Sequence, residues 1–316
     1  MSHYRTHLPQ LDDQLFIADS GMETTLIFHD GIDLPYFASF VLLEDIDGRA
    51  RLRDYFERHI AIARAAGTGI VLETPTWRAS SDWGAKLGYD SARLAAVNRA
   101  AVEQLAELRE ALETPTTPIV ISGNLGPRGD GYVADRKMSI AKAQAYHAPQ
   151  IETFAATDAD MVSVFTLNYV EEAIGVARAA QVADMPVAIS FTLETDGRLP
   201  SGMPLDEAIE ATDAATGEYP AYYMINCAHP THFAHVLQNT GPWRERLRGI
   251  RANASKRSHA ELDEATDLDD GNPAELAGDY RVIRELLPNL AVVGGCCGTD
   301  HRHVGAICQG LFATAV

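Results

Sequence analysis

Four cysteines in 316 residues are too few, and too unevenly placed, to staple a disulfide scaffold: Cys227 stands alone, Cys296 and Cys297 are adjacent, and Cys308 follows in a stretch of helical spacing. Positive charge is also scarce. Lys and Arg number 26 against 44 Asp and Glu, a formal net charge of −18, and no basic cluster stands out, so neither nucleic acid nor an anionic membrane surface is an expected partner. No run approaches the roughly 18 apolar residues that span a bilayer, and the opening MSHYRTHLPQLDDQ lacks the apolar centre of a signal peptide, so the expected compartment is the cytoplasm. No glycine-rich dinucleotide fingerprint follows a strand, and no linker rich in Pro, Gly or Ser divides the chain. The hydrophobic and charged shares, 46% and 22%, exclude disorder, collagen and coiled coil as descriptions of the whole.

What the sequence has is an alternation. Short β-rich apolar runs at Leu15–Ala18, Ile70–Leu72, Ile119–Ser122, Met161–Phe165, Val187–Phe191, Tyr222–Ile225, Gly249–Arg251 and Leu290–Val293 take turns with stretches of helical spacing at about 49–66, 91–113, 139–157, 170–184, 203–216, 230–240, 273–287 and 301–314. Ser91 is a candidate cap for the second helix, Gly67 a left-handed terminator of the first, and Pro149 predicts a kink or a break in the third. Near-continuous apolar strands favour a parallel sheet covered by helices, and eight units favour closure into a single (β/α)8 barrel, one domain over 1–316. The polar stretch 255–272 reads as a long loop of the seventh unit.

In such a barrel the chemistry collects at the carboxyl ends of the strands. Cys227 follows the sixth strand and Cys296 with Cys297 the eighth, so three thiols fall near one mouth. Three sulfurs around Zn²⁺ leave a fourth tetrahedral position open, as a catalytic site requires, and Gly294, Gly295 and Gly298 allow the tight backbone that brings successive side chains to one ion. A vicinal disulfide between Cys296 and Cys297 is an alternative use of the pair. Cys308, in an apolar stripe, reads as a core residue. His229, His232, His235, His301 and His303 lie near the cysteines, but their spacing suits a solvated helix face as well as a ligand set.

At the strand ends the sequence resembles the zinc-dependent homocysteine S-methyltransferase family. The resemblance rests on Asn226-Cys227, on Gly294–Thr299 (GGCCGT) and on Asp19–Thr24 (DSGMET), where members usually read Asp-Gly-Gly-Met-Gly-Thr; Gly123–Pro127, Ser190–Thr192 with Asp196-Gly197 and Ser201-Gly202, and Ala252–Ser255 match more weakly. It implies a (β/α)8 barrel in which Cys227, Cys296 and Cys297 hold zinc and the homocysteine thiol takes the fourth position as a thiolate. The implied reaction moves a methyl group from a small sulfonium, S-methylmethionine or S-adenosylmethionine, to that thiolate, giving methionine. Betaine as donor, a different acceptor thiol, hydrolysis at zinc, and a non-catalytic zinc-holding or redox-sensing barrel are the alternatives.

Within that resemblance, Asp19 is the candidate for the substrate ammonium group, the Gly21–Met22 backbone for its carboxylate, and Asn226 for orienting the cysteine loop. Trp77 and Tyr169 are candidates to face a cationic donor. One departure bears on the acceptor. Where members commonly carry Glu after the fourth strand, this chain has Thr166, and Glu23 or Glu73 is then expected to restore a charge near the ammonium group.

Overall fold

Each of the eight apolar runs forms a strand. The computed structural model describes residues 2–12 and 14–312. In it β1 (Phe16–Ala18), β2 (Ile70–Glu73), β3 (Ile119–Leu125), β4 (Met161–Leu167), β5 (Val187–Phe191), β6 (Tyr222–Asn226), β7 (Leu247–Ala252) and β8 (Val292–Gly295) close into a barrel in sequence order. Every neighbouring pair is parallel, and β1 joins β8 to shut the ring. Around it lie α1 (Ile46–Ala66), α2 (Ser91–Leu112), α3 (Ile140–Ala155), α4 (Val170–Val182), α5 (Leu205–Thr216), α6 (Pro230–Phe233), α7 (Pro273–Leu286) and α8 (His301–Phe312). Among the described residues no helix is long and apolar enough to cross a membrane.

Because successive strand residues point to opposite faces, each strand feeds two cores. Ile17, Ile70, Leu72, Ile119, Ile121, Val187, Ile189 and Ile225 pack outward under the helices. Phe16, Val71, Val120, Met161, Ala188, Tyr222 and Met224 fill the barrel. Tyr4, Leu8 and Leu11 join the inner cluster from the amino-terminal segment and plug the floor. Two residues further along the strands the inward side chains turn polar: Val71 is succeeded by Glu73, Val120 by Ser122, Met161 by Ser163, Ala188 by Ser190 and Met224 by Asn226, all of them buried. This change of character divides the interior into an apolar floor and a hydrogen-bonding ceiling, and the ceiling supports the mouth.

The ends of the elements differ in places from the sequence expectation. The carboxylate of Asp90, not Ser91, caps α2 by accepting from the Arg93 amide. Gly67 ends α1 in the left-handed conformation, φ 64°, as expected. Pro149 lies inside α3, which runs unbroken from Ile140 to Ala155 although the ring removes one backbone bond. The helix expected over 230–240 is only Pro230–Phe233, followed by a 3-10 turn at Val236–Gln238. The last two residues of the 301–314 expectation lie outside the described residues. The 255–272 loop contains one helical turn, His259–Asp263, fixed by a capping box in which Ser258 and Glu261 each bond the other's backbone amide.

Candidate metal centre

The three cysteines meet as their strand ends require. The Cys227 sulfur stands 2.7 Å from that of Cys296 and 3.4 Å from that of Cys297, and the group is the cluster among the described residues that could hold a metal ion. Cys227 is buried, Cys296 half-buried and Cys297 exposed, so the group opens to solvent on one side. All three cysteines are free in this structure. Tetrahedral zinc with bonds of about 2.3 Å spaces its sulfurs by about 3.8 Å. The trio is soft and convergent, with all three sulfurs within 4.8 Å of one another, so the donor set suits the ion, which would have to spread Cys227 and Cys296 to reach that spacing.

The surrounding residues hold this arrangement against backbone strain. Cys227 and Thr166 both adopt positive φ, 55° and 64°, which costs a non-glycine residue about 1 kcal/mol or more. The Asn226 side chain bridges the two strand ends: its Oδ1 accepts from the Thr166 amide at 2.9 Å and from Ser190 Oγ at 2.7 Å. Its Nδ2 donates to Thr166 Oγ1 at 3.0 Å and approaches the Cys296 sulfur at 3.9 Å. His259, brought in by the capped turn, lies 2.7 Å from the Cys227 carbonyl through Nε2 and stacks on Tyr132 with ring centroids 4.1 Å apart. The Tyr132 hydroxyl donates to the Cys227 sulfur at 3.6 Å and stands 3.5 Å from that of Cys297. Contacts from Cys227 and Cys297, with help from Arg251, hold the Cys296 thiol well below its usual range, while contact with Cys296 and Cys297 pushes the Cys227 thiol up.

A family model described as homocysteine S-methyltransferase matches residues 16–311. The chain belongs to the homocysteine S-methyltransferase family. By that membership it is a methyltransferase. Among solved structures it is similar to the homocysteine methyltransferase MmuM from Escherichia coli: the oxidized form has a TM-score of 0.73 at 23% identity over 95% of this chain and 97% of that one. The metallated form gives 0.73 at 22% identity, again over 95% and 97% of the two chains. At these identities the likeness is one of fold. No curated protein sequence matches significantly.

In this member of the homocysteine S-methyltransferase family the expected substrate residues are distributed unevenly around the sulfurs. Asp19 is buried and ion-paired with Arg251, a residue sequence reasoning passed over, so any substrate ammonium group would share its carboxylate. Burial still raises the Asp19 carboxyl to about 6, against the pull of Arg251. Arg251 also donates to the Gly295 carbonyl at 3.1 Å and to the Ser20 carbonyl at 3.1 Å, and the Gly295 amide donates to the Asp19 carbonyl at 2.9 Å. The Gly21 amide is taken by Thr299 Oγ1 at 3.1 Å. Met22 opens the short turn Met22–Thr24 beside it. Glu23 is half-buried and accepts from Ser39 Oγ at 3.0 Å, with its carboxyl raised by burial.

Neither Trp77 nor Tyr169 presents a free aromatic cage. One face of Trp77 carries the Arg78 guanidinium at 3.8 Å, and the Tyr169 hydroxyl accepts from the Met138 amide at 3.1 Å inside the wall. The five histidines remain outside the sulfur cluster: His229 caps α6, His232 and His235 face carbonyls, and His303 faces Asp300 and the Asp270 carbonyl. His301 begins α8.

Glu73 lies in the polar ceiling, facing Ser122 and Ser163, with its Oε2 unpartnered; burial raises its carboxyl to about 7. The folded protein therefore binds this proton more tightly than the unfolded chain, and the resulting stability is present in full below the unfolded value near 4.5 and lost as pH rises to about 7. Glu73→Gln removes the liability. It is expected to unfold later than the parent at pH 8, by up to about 3 kcal/mol, and to converge with it at pH 4. Denaturant titrations at the two pH values measure this, and equal differences at both would remove the explanation.

Proposed function

We propose that the protein transfers a methyl group from a small sulfonium donor, S-methylmethionine or S-adenosylmethionine, to the thiol of homocysteine, giving methionine, with zinc held by Cys227, Cys296 and Cys297. The observation that carries this reading is the convergence of three thiols from the ends of β6 and β8 into a cluster open at Cys297. Zinc bound there supplies a Lewis acid that lowers the pKa of an incoming thiol from its free value near 8.5.

The chain's own residues place the reactants. Asn226 fixes the β4 and β6 ends and, through them, Cys227. Asp19 acts as the anchor of Arg251, which holds Gly295 and so the start of the Cys296–Cys297 loop. Glu23 is assigned to the acceptor's ammonium group, shared with Asp19. The Met22 amide takes its carboxylate, since the Gly21 amide is already engaged. Thr166 supplies no charge and braces Asn226. Glu73, below these groups, sets the polarity under the substrate. Tyr132 covers the sulfurs and limits the access of water.

In the transfer, the donor's sulfur–methyl bond breaks as the acceptor's forms. The donor sulfur keeps the electron pair and loses its positive charge, and alignment of the two sulfurs supplies much of the rate. Both reactants are diffusible small molecules, a reading suited to a cytoplasmic enzyme of one domain.

Mass-spectrometric detection of methionine from zinc-loaded protein, homocysteine and either sulfonium tests the proposal. Methionine is expected in one tube, lost on chelation and restored by zinc. Its absence from both would overturn the assignment. A second acceptor is favoured by one observation, the uncharged Thr166 at the β4 end, and 4-mercaptobutyrate, which lacks the ammonium group, is the thiol that separates the two readings.

A further inference from the structure

Three arginines are buried among the described residues. Arg109 is neutralised by Asp160 at 2.7 Å and Arg251 by Asp19. Arg78, 5% exposed, makes no ion pair among the described residues. Its guanidinium lies between two indoles, 3.8 Å from the ring centroid of Trp77 and 3.8 Å from that of Trp83. Its one hydrogen bond is from Nη1 to the Gly129 carbonyl at 3.3 Å. Nε is buried without an acceptor, and so are the indole N–H groups of both flanking tryptophans. One stack thus gathers three buried donors that no described residue satisfies, an unfavourable arrangement unless an acceptor arrives.

The nearest acids do not answer them. Asp130 Oδ1 accepts from the Tyr132 and Val133 amides, and Glu23 accepts from Ser39. A second cation, Lys86, lies over Trp83 at 3.7 Å and adds to the positive potential. The stack belongs to the segment that follows β2 at the mouth, with Trp77 and Arg78 in its loop and Trp83 on the short helix Ser81–Lys86. Gly129, which holds Nη1, lies three residues before Tyr132, whose hydroxyl faces Cys227 and Cys297.

We propose that Arg78, sandwiched between Trp77 and Trp83, is an anion-binding residue that receives the carboxylate of an amino-acid substrate whose sulfur lies at the cysteine cluster. The Nε and Nη2 edge of the guanidinium, which bonds to no described residue, is a two-donor fork that matches a carboxylate. The inference rests on the methyl-transfer reading for the identity of the ligand. Donor and acceptor each carry such a carboxylate; with the acceptor's assigned to the Met22 amide, the sulfonium donor's is the expected occupant, and a preference in the homocysteine pair instead would move the acceptor's carboxylate from Met22 to Arg78.

Binding to the full-length protein is followed by calorimetry and by tryptophan fluorescence, to which Trp77 and Trp83 contribute. The probes are homocysteine and its amide, and S-methylmethionine and its amide. For one of the two pairs the parent is expected to bind the carboxylate at least about tenfold more tightly than the amide, with a change in emission. That pair identifies the substrate. Arg78→Gln is expected to bind both members of the pair equally while keeping its zinc content and melting temperature, and Arg78→Lys to retain a fraction of the preference. Should Arg78→Gln fail to fold, Arg78→Lys carries the comparison. A preference that survives in the variants, or a parent that binds no probe or binds acid and amide alike in both pairs, overturns the proposal. A preference that Arg78→Gln abolishes, in a parent that forms no methionine, leaves the anion site standing and removes the homocysteine reading.

Discussion

Cys297→Ser is expected to lower kcat/KM for the acceptor on the order of 10³-fold while leaving the melting temperature of the metal-free protein unchanged. Cys297 is exposed, so exchanging its sulfur for oxygen costs no packing. It stands 3.4 Å from Cys227, however, and supplies one of only three soft donors. Lewis-acid polarisation is worth several kcal/mol, and about 4 kcal/mol corresponds to the stated factor. Metal analysis and turnover on the same sample measure both effects. Cys308→Ser, altering the thiol buried in α8 away from the cluster, is the control and is expected to keep its zinc. A Cys297→Ser protein with full zinc and full turnover would remove Cys297 from the site, and a zinc-loaded parent with no turnover would support metal storage.

Arg251→Met is expected to give the largest loss of stability. It leaves Asp19 buried without its partner, and breaking a buried pair costs about 3–5 kcal/mol. Over a chain of this size that is a fall in melting temperature on the order of 10 °C. Pairing it with Asp19→Asn removes the stranded charge, so the double variant is expected to recover much of the loss. Additive losses in the double-mutant cycle would show that the two residues act separately. Activity is expected to remain low in the double variant, because the hydrogen bond from Arg251 to Gly295 is still gone.

The barrel was legible because fully buried parallel strands leave a plain signature: apolar runs such as Met161–Phe165 and Val187–Phe191, separated by helical spacing. The cysteine cluster was legible for a related reason, since a closed barrel brings every strand end to one rim. Residues that depend on loop conformation were not. Tyr132 reaches the sulfurs because a loop folds over the mouth, and no periodicity records that. His259 left a trace in the capping pattern Ser258–Glu261, which predicts a helical turn inside the polar stretch but not its docking on Cys227. Arg251 was visible as a charge inside a strand pattern, a position that demands a buried counter-ion, yet the sequence does not say which acid. Pairing with Arg251 adds an anchoring role to the one expected for Asp19.

The shortness of β1 has a consequence for how the molecule fails. It meets β2 only through Ile17–Ile70 and Ala18–Val71 and β8 only through Phe16–Val292 and Ile17–Val293. The seam of the ring therefore relies on extra stitches: Gly295 to Asp19, Arg251 to Asp19 and Ser20, Thr299 to Gly21 and Gly298 to Thr24. The same stitches set the path of the Cys296–Cys297 loop. A local opening of this seam, at a free energy below that of global unfolding, would scatter the thiols while most of the barrel stayed intact. An ion joining Cys227 to that loop would act as a rivet across the opening, and the strength of its binding would then add directly to the durability of the ring.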